Sequence, residues 1–300
     1  MQKPTTETRS GGLPHALGAY GIWGLLPVYF YFLLFVPALE VLAWRVIFTL
    51  PFCLLVVWVM RQGRQLRLAL TNPKALAFLA ASALLIGINW LAYIYAVQNG
   101  QVLATSIGYY LNPLVNVLLG TVFLHERLTR LQWTAVGMAG AGVAILALGA
   151  ADTLWITLTL AFSFGSYGLV RKLAPVESLP GLTIETMIWF PVAIGIAAWY
   201  AASPGGGALQ YGWERDLLVA ASGVVTATPL LLFATAARRM DYSLLGFVQF
   251  LAPTIAFIVG LTVFREPLRP VQLACFLLIW SAIALFSWDL LSRRRKAAVS

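Results

Sequence analysis

Apolar residues run along this chain in long unbroken stretches, each closed by a short polar turn. The hydrocarbon core of a bilayer, about 30 Å thick, is crossed by about 20 apolar helical residues. Ten stretches reach that length: 13–35, 39–60, 74–97, 102–124, 131–150, 153–170, 182–202, 216–237, 243–264 and 270–291. In lipid the backbone must satisfy its own hydrogen bonds, which predicts helices for all of them. The longer connections are 61–73 and 203–215, and the second carries the flexible turn Pro204-Gly205-Gly206-Gly207. The pattern predicts an all-α membrane protein of ten transmembrane helices, with a polar tail over 1–12 and a basic tail over 292–300.

One unit occurs twice. At a constant offset of 140 residues Pro113 falls on Pro253, Gly120 on Gly260, Glu126 on Glu266, Leu128 on Leu268 and Gln132 on Gln272. The matched segments are the fourth and ninth predicted spans. Five spans separate them, an odd number, so the copies enter the membrane in opposite senses. The expected organisation is an inverted five-plus-five repeat, 13–150 and 151–291. A fainter echo pairs Glu40-x-x-x-Trp44 with Glu185-x-x-x-Trp189.

Composition supports the membrane reading. Hydrophobic residues make up 60% of the 300 positions and charged residues 10%, against about 25% charged in soluble domains. With the N-terminus placed in the cytoplasm, sixteen of the 20 Lys and Arg fall on the inside. Arg215, Arg265 and Arg269 fall outside, and Arg45 lies within a span. This bias predicts both termini inside. It also accounts for the +9 net charge without a nucleic-acid partner. The first apolar run outlasts a signal-peptide core and is read as a retained span. Cys53 and Cys275 sit in apolar runs, so a disulfide framework is not expected. His15 and His125 lack metal-ligand spacing, and neither a metal nor another cofactor is called for.

Polar side chains inside spans are costly and need a reason. Asn89 and Tyr93 share a helix face, with Trp90 beside it. Tyr109, Asn112 and Asn116 share another face, and Pro113 frees the carbonyl of residue 109. Their partners in the repeat are Gln249, Ala252 and Ala256, so the asparagines occur in one half only. Interhelical hydrogen bonding is the competing role for these amides, at about 1 kcal/mol or less. Trp23, Phe164 and Tyr167 add aromatic candidates. Glu40 begins the second span, Glu185 lies one turn into the seventh, and Arg45 is about two turns inside the second. These three are candidates for coupling or gating, with a structural ion pair to loop groups as the plainer role for Arg45. Pro27, Pro113, Pro229 and Pro253 are candidate hinges, Gly137, Gly140 and Gly142 suggest close helix packing, and Glu126 and Glu266 suggest loop caps beside Arg127 and Arg265.

Several motifs together resemble one family. They are Ile22-Trp23-Gly24, Glu40 with Trp44-Arg45-Val46-Ile47, Ile86-Gly87-x-Asn89-Trp90-Leu91, Gly108-Tyr109-Tyr110-Leu111-Asn112-Pro113, Tyr167-Gly168-Leu169-Val170-Arg171-Lys172 and Leu244-x-Gly246-Phe247-x-Gln249-Phe250. The chain resembles the drug/metabolite transporter superfamily, EamA type, and within it the RarD permeases. The resemblance implies a bacterial inner-membrane permease, an exporter, with a central cavity lined by spans one, three, four, six, eight and nine. The expected cargo is a small amphipathic metabolite, an amino acid or a drug. The expected partners are that substrate and the lipid bilayer, with the chain a monomer or weak homodimer. A proton-independent facilitator or importer stays open as an alternative. A membrane enzyme would need paired carboxylates or a nucleophile with its base, and a channel would need rings of pore-lining charge. Neither pattern is present. The sequence lacks a Gly-Lys dipeptide and hence an ATP-binding phosphate loop.

Overall fold

A computed structural model describes residues 12–124, 129–239 and 248–299. The Glu126–Arg127 turn, His125, and the Leu244, Gly246 and Phe247 positions lie outside the described residues. Eleven helices are described: α1 Leu13–Tyr31, α2 Ala38–Val59, α3 Gly63–Leu70, α4 Pro73–Gln98, α5 Val102–Leu124, α6 Arg130–Gly149, α7 Ala151–Leu173, α8 Ser178–Ala202, α9 Trp213–Arg239, α10 Leu251–Thr262 and α11 Pro270–Val299. Described residues contain no strand. Eight helices are long and apolar enough to cross a membrane: α2, α4 to α9 and α11. Several predicted boundaries change: α1 ends at Tyr31, α10 starts at Leu251 and α11 runs on to Val299. The stretch 61–73 holds the short helix α3, whose two basic and four aliphatic residues give it two unlike faces. Helix α8 starts at Ser178, four residues earlier than expected, so Glu185 lies two turns inside it.

Helix starts recur at the spacing seen in the sequence. Ala38 and Ser178, Pro73 and Trp213, and Arg130 and Pro270 are each 140 apart. The packing follows the same exchange. Helix α1 packs on α9 as α7 packs on α4, and α1 packs on α10 as α7 packs on α5. Helix α2 meets α8, α5 meets α10 and α6 meets α11. The Glu-Trp echo is out of this register by five residues. Helix α2 aligned on α8 sets Arg45 opposite Glu185, and Glu40 opposite Pro180. The tryptophans differ accordingly: Trp44 donates to Glu40 at 3.2 Å, whereas Trp189 donates to the Ala83 carbonyl at 2.7 Å.

The repeated Gln and Glu have local causes. Thr129 and Gln132 form a reciprocal capping box at the start of α6. Gln272 reaches back in the same way to the Arg269 amide, 3.0 Å away. Glu266 does not cap its own loop. Its carboxylate accepts from the Val102 and Leu103 amides at 2.5 and 2.9 Å, closing the N-terminus of α5. Arg269 instead makes a two-pronged ion pair with Asp152 at the start of α7, at 2.8 and 2.9 Å.

Of the candidate hinges, Pro27 and Pro229 lie inside continuous helices and Pro113 inside the span of α5. Pro253 follows a turn at residues 249 and 250, where its ring would collide with the carbonyl four residues before it. Its own carbonyl accepts from Ser106 at 2.7 Å, and Tyr110 and Thr254 share a hydroxyl contact of 2.5 Å, joining α5 to α10.

Close helix approach is confined to certain glycines. A Cβ on Gly223 would lie 2.4 Å from the Phe48 carbonyl, and one on Gly24 2.6 Å from Ile255. Gly142 touches Cys275 and Leu278 on α11. Gly137 and Gly140 meet nothing within 4 Å, so the packing expected of them is not found, because their side of α6 faces outward. Cys53 and Cys275 are buried as free thiols. G223A, which overpacks α2 against α9, should cost about 1–3 kcal/mol and lower the thermal midpoint, whereas G137A should leave it unchanged or slightly raised. Burial raises the Glu266 carboxyl from 4.5 to about 7. The folded chain therefore holds this proton more tightly than the unfolded chain. Its stabilisation is complete below 4.5 and is lost as pH rises through 7. The thermal midpoint should fall from about pH 5 to about pH 8, and E266Q should flatten that fall.

Candidate functional site

Most of the aromatic and polar residues singled out in the sequence join into one line through the protein. At one end the Arg45 guanidinium lies over the Trp90 ring, 4.3 Å from its centroid, with Phe30 at 5.7 Å. Phe30 meets Tyr93 edge-on at 5.9 Å, and Tyr93 meets Tyr109 at 5.8 Å. Tyr109 meets Phe164 at 5.9 Å, and Phe164 meets Tyr167 at 6.0 Å. Tyr167 then donates to Glu185 at 3.4 Å. Five helices supply the line: α1, α2, α4, α5 and α7, with α8 at its far end.

Asn89 fastens the middle. Its Oδ1 accepts from the Tyr109 hydroxyl at 3.1 Å, and its Nδ2 donates to Ser163 at 3.0 Å and to the Leu160 carbonyl at 3.2 Å. It therefore ties α4 to α5 and α7. Asn112 is buried with its Oδ1 unpartnered, while Asn116 is exposed and faces Gly165 and Gly168 of α7.

The two ends differ in charge. Glu185 is 1% exposed. Ser82 donates to its carboxylate in a short hydrogen bond, and Arg171 lies 3.5 Å away. Arg171 also donates to the Ser178 carbonyl at 3.1 Å. Its guanidinium occupies the space that a side chain at Gly181 would fill. Arg45 is 4% exposed, and its Nε has no partner. The ion pair with loop groups expected for Arg45 is absent among the described residues. Glu40 cannot serve, because its carboxylate holds the Ala208 amide at 2.6 Å and the Trp44 indole, anchoring the 203–212 loop over α2.

Two candidates fall elsewhere. Trp23 packs with Tyr20 and Phe233 at 5.2 and 5.8 Å, on the side of α1 that meets α9. Gln249 is half-buried in the turn before α10. A cavity of about 110 Å³ lined by Leu42, Ala43, Val46, Gly87 and Trp189 is apolar throughout and offers no polar recognition. Sequence reasoning missed Ser82, Ser163 and Arg171 as site members. Small hydroxyls inside apolar runs carry little signal. Arg171 had been counted with the inner topology charges, and only the fold turns it back onto Glu185.

A multi-pass helical membrane protein with an enclosed polar and aromatic path between its helices has the makings of a membrane transporter. Comparison with known proteins gives the same class. The profile of the EamA-like transporter family matches residues 11–148. Protein RarD of Salmonella typhimurium is 43% identical over 97% of this chain and 98% of its own length. Protein RarD of Escherichia coli is 41% identical over the same shares. An uncharacterized transporter of Pseudomonas aeruginosa is 43% identical over 91% of this chain and 92% of its own. The chain belongs to the EamA-like transporter family, among relatives named RarD. A protein of known crystal structure shares the fold, with a TM-score of 0.62 at 19% identity over 95% of this chain and 99% of that one.

Removing Arg171 would leave the buried Glu185 carboxylate without its cation. R171A should therefore lower the thermal midpoint, and R171A/E185Q should recover part of the loss. Strict additivity in that double-mutant cycle would show the pair uncoupled.

Proposed function

We propose that this protein is a secondary transporter of the bacterial inner membrane, an exporter that moves a small amphipathic metabolite, an amino acid or a drug by alternating access. The observation that carries the reading is the line from Arg45 to Glu185. It is a path of ring faces and amides, closed to solvent at both ends, in a protein whose relatives are transporters. On this reading the chain is ten spans arranged as an inverted five-plus-five repeat, 13–150 and 151–291, with both termini in the cytoplasm. The shared 140-residue spacing of helix starts and the exchange of packing partners support it. The loop charges support the orientation. The Arg45 end then lies toward the outside and the Glu185 end toward the cytoplasm.

Alternating access gives each end a task. Outward opening separates the Glu40-anchored loop and the upper parts of α2 and α9. Inward opening breaks the contacts of Arg171 and Ser82 with Glu185. Pro27, Pro113, Pro229 and Pro253 supply weakened turns where helices can bend. Glu185 is the acid placed to couple transport to protons, since a carboxylate released from its cation at the cytoplasmic end can exchange a proton with water. Trp23 and Gln249 line the half of the path that α1, α9 and α10 complete when it widens, and Asn112 and Asn116 offer polar contacts to its contents.

In proteoliposomes the protein should show saturable counterflow of at least one amino acid or amphipathic drug, steeper with an imposed pH gradient, and E185Q should lose the pH dependence while keeping flux. Saturable flux with the same pH response in E185Q would leave a facilitator driven by the substrate gradient. No saturable flux across a broad metabolite panel would remove the transport reading.

A further inference from the structure

Among the described residues Arg45 has no counter-ion. A guanidinium keeps its proton at any physiological pH, and a buried unpaired ion is among the most costly groups a protein can hold. The described carboxylates are either engaged elsewhere or out of reach. Glu40 is held by Ala208 and Trp44, Glu185 by Arg171, Ser82 and Tyr167, and Glu266 by Val102 and Leu103. Asp216, in the first turn of α9, has its Oδ1 buried and unpartnered and makes no ion pair with Arg45. Three phenols, Tyr29, Tyr93 and Tyr109, couple electrostatically to the guanidinium; phenols ordinarily titrate near 10 and are neutral at pH 7. Ring contacts offset only part of the desolvation, by about 2 kcal/mol for a buried cation–π pair.

The geometry points to a carboxylate on the transported molecule as the missing counter-ion, so that Arg45 is the residue that selects anionic cargo. This assignment rests on the transport reading above and narrows its substrate class. The contact with Trp90 uses a ring face as its partner, and the Arg45 Nε stays unpartnered and open to a planar acceptor. The rings of Phe30, Tyr93 and Tyr109 are within one side chain of the guanidinium and fit an apolar body carrying the carboxylate. A monoanion suffices. Arg45 brings one positive charge, and the next buried cation on the line, Arg171, already faces Glu185. A phosphate dianion would leave a buried negative charge of its own.

The register of the two halves makes the asymmetry specific. The position that carries Arg45 in α2 carries Glu185 in α8, and their neighbours Ser222 and Ser82 also correspond at 140 residues. Ser82 hydrogen-bonds Glu185, while Ser222 has its hydroxyl buried on the Tyr29 side. One of these equivalent sites is complete within the chain, with acid, cation and hydroxyl together. The other has the hydroxyl and the cation but lacks the acid, which the cargo supplies.

The test compares 3-phenylpropionate with 3-phenylpropanamide, and L-phenylalanine with L-phenylalaninamide, by thermal shift and tryptophan quenching of the full-length protein in detergent at neutral pH. Each carboxylate should bind at least about tenfold more tightly than its amide, a preference that R45Q reduces to about twofold or less and R45K keeps in part. The wild-type comparison stands even if R45Q fails to fold. Equal binding of acid and amide, an undiminished preference in a folded R45Q, or no binding of either carboxylate would overturn the assignment. Counterflow of the same probes in proteoliposomes reads transport separately. A preference for the acid in binding, without flux, keeps the anion subsite and removes the transport reading. Saturable flux with acid and amide carried alike does the reverse.

Discussion

Hydrocarbon supplies no hydrogen-bond partner, and every polar group in this protein is arranged around that shortage. Helices satisfy most of the backbone. Their ends and the side chains within them must be satisfied by other parts of the chain, and those debts connect segments far apart in sequence. Asn89 joins α4 to α5 and α7, Ser106 joins α5 to the Pro253 carbonyl, and Thr157 joins α7 to the Ala104 carbonyl. Small residues let the backbones come close enough for such bonds, as at Gly108 against Thr157 and Gly223 against Phe48. Exposed side chains on the outside of the bundle, such as Leu148 and Trp58, are apolar and suited to lipid.

Where a group goes without a partner, the same reasoning isolates function. The half-buried Arg171 and the buried Glu185 form an ion pair, an arrangement whose net stabilisation is small but whose separation is costly. Such a pair suits a closure that must hold and still be opened. Arg45 has only ring faces. The difference between the two sites follows from one substitution of charge at equivalent places in the two copies, rather than from unlike folds.

Much of the architecture was legible in the sequence. Long apolar runs, loop charges and the repeated Pro, Gly, Glu and Gln positions located the helices and their spacing. The repeat also identified residues whose role became clear only in the fold: Gln132 and Gln272 cap the helices whose first turns they stand in, and Glu266 caps α5. The site was legible in part. Asn89, Tyr93, Tyr109, Phe164 and Tyr167 assemble because polar and aromatic residues at helical spacing must face inward. Periodicity says nothing about which helices face one another, so Ser82 and Arg171 went unnoticed. The Glu40–Trp44 likeness to Glu185–Trp189 misled, because two residue types at one spacing recur by chance in a chain rich in tryptophan. Its five-residue slip hid the correspondence of Arg45 with Glu185.

The cap that Glu266 places on α5 also bears on how the chain is made. The amides of Val102 and Leu103 emerge from the ribosome 164 and 163 residues before the carboxylate that receives them. Through most of synthesis α5 therefore sits in the membrane with its leading amides unsatisfied by protein. That end must stay at the water-facing boundary until the segment carrying Glu266 arrives. The start of α5 is thus among the final parts of the molecule to mature, although it lies in the first half of the chain. Truncation anywhere before residue 266 would leave that helix unfinished at its start, even with every apolar residue of α5 in place.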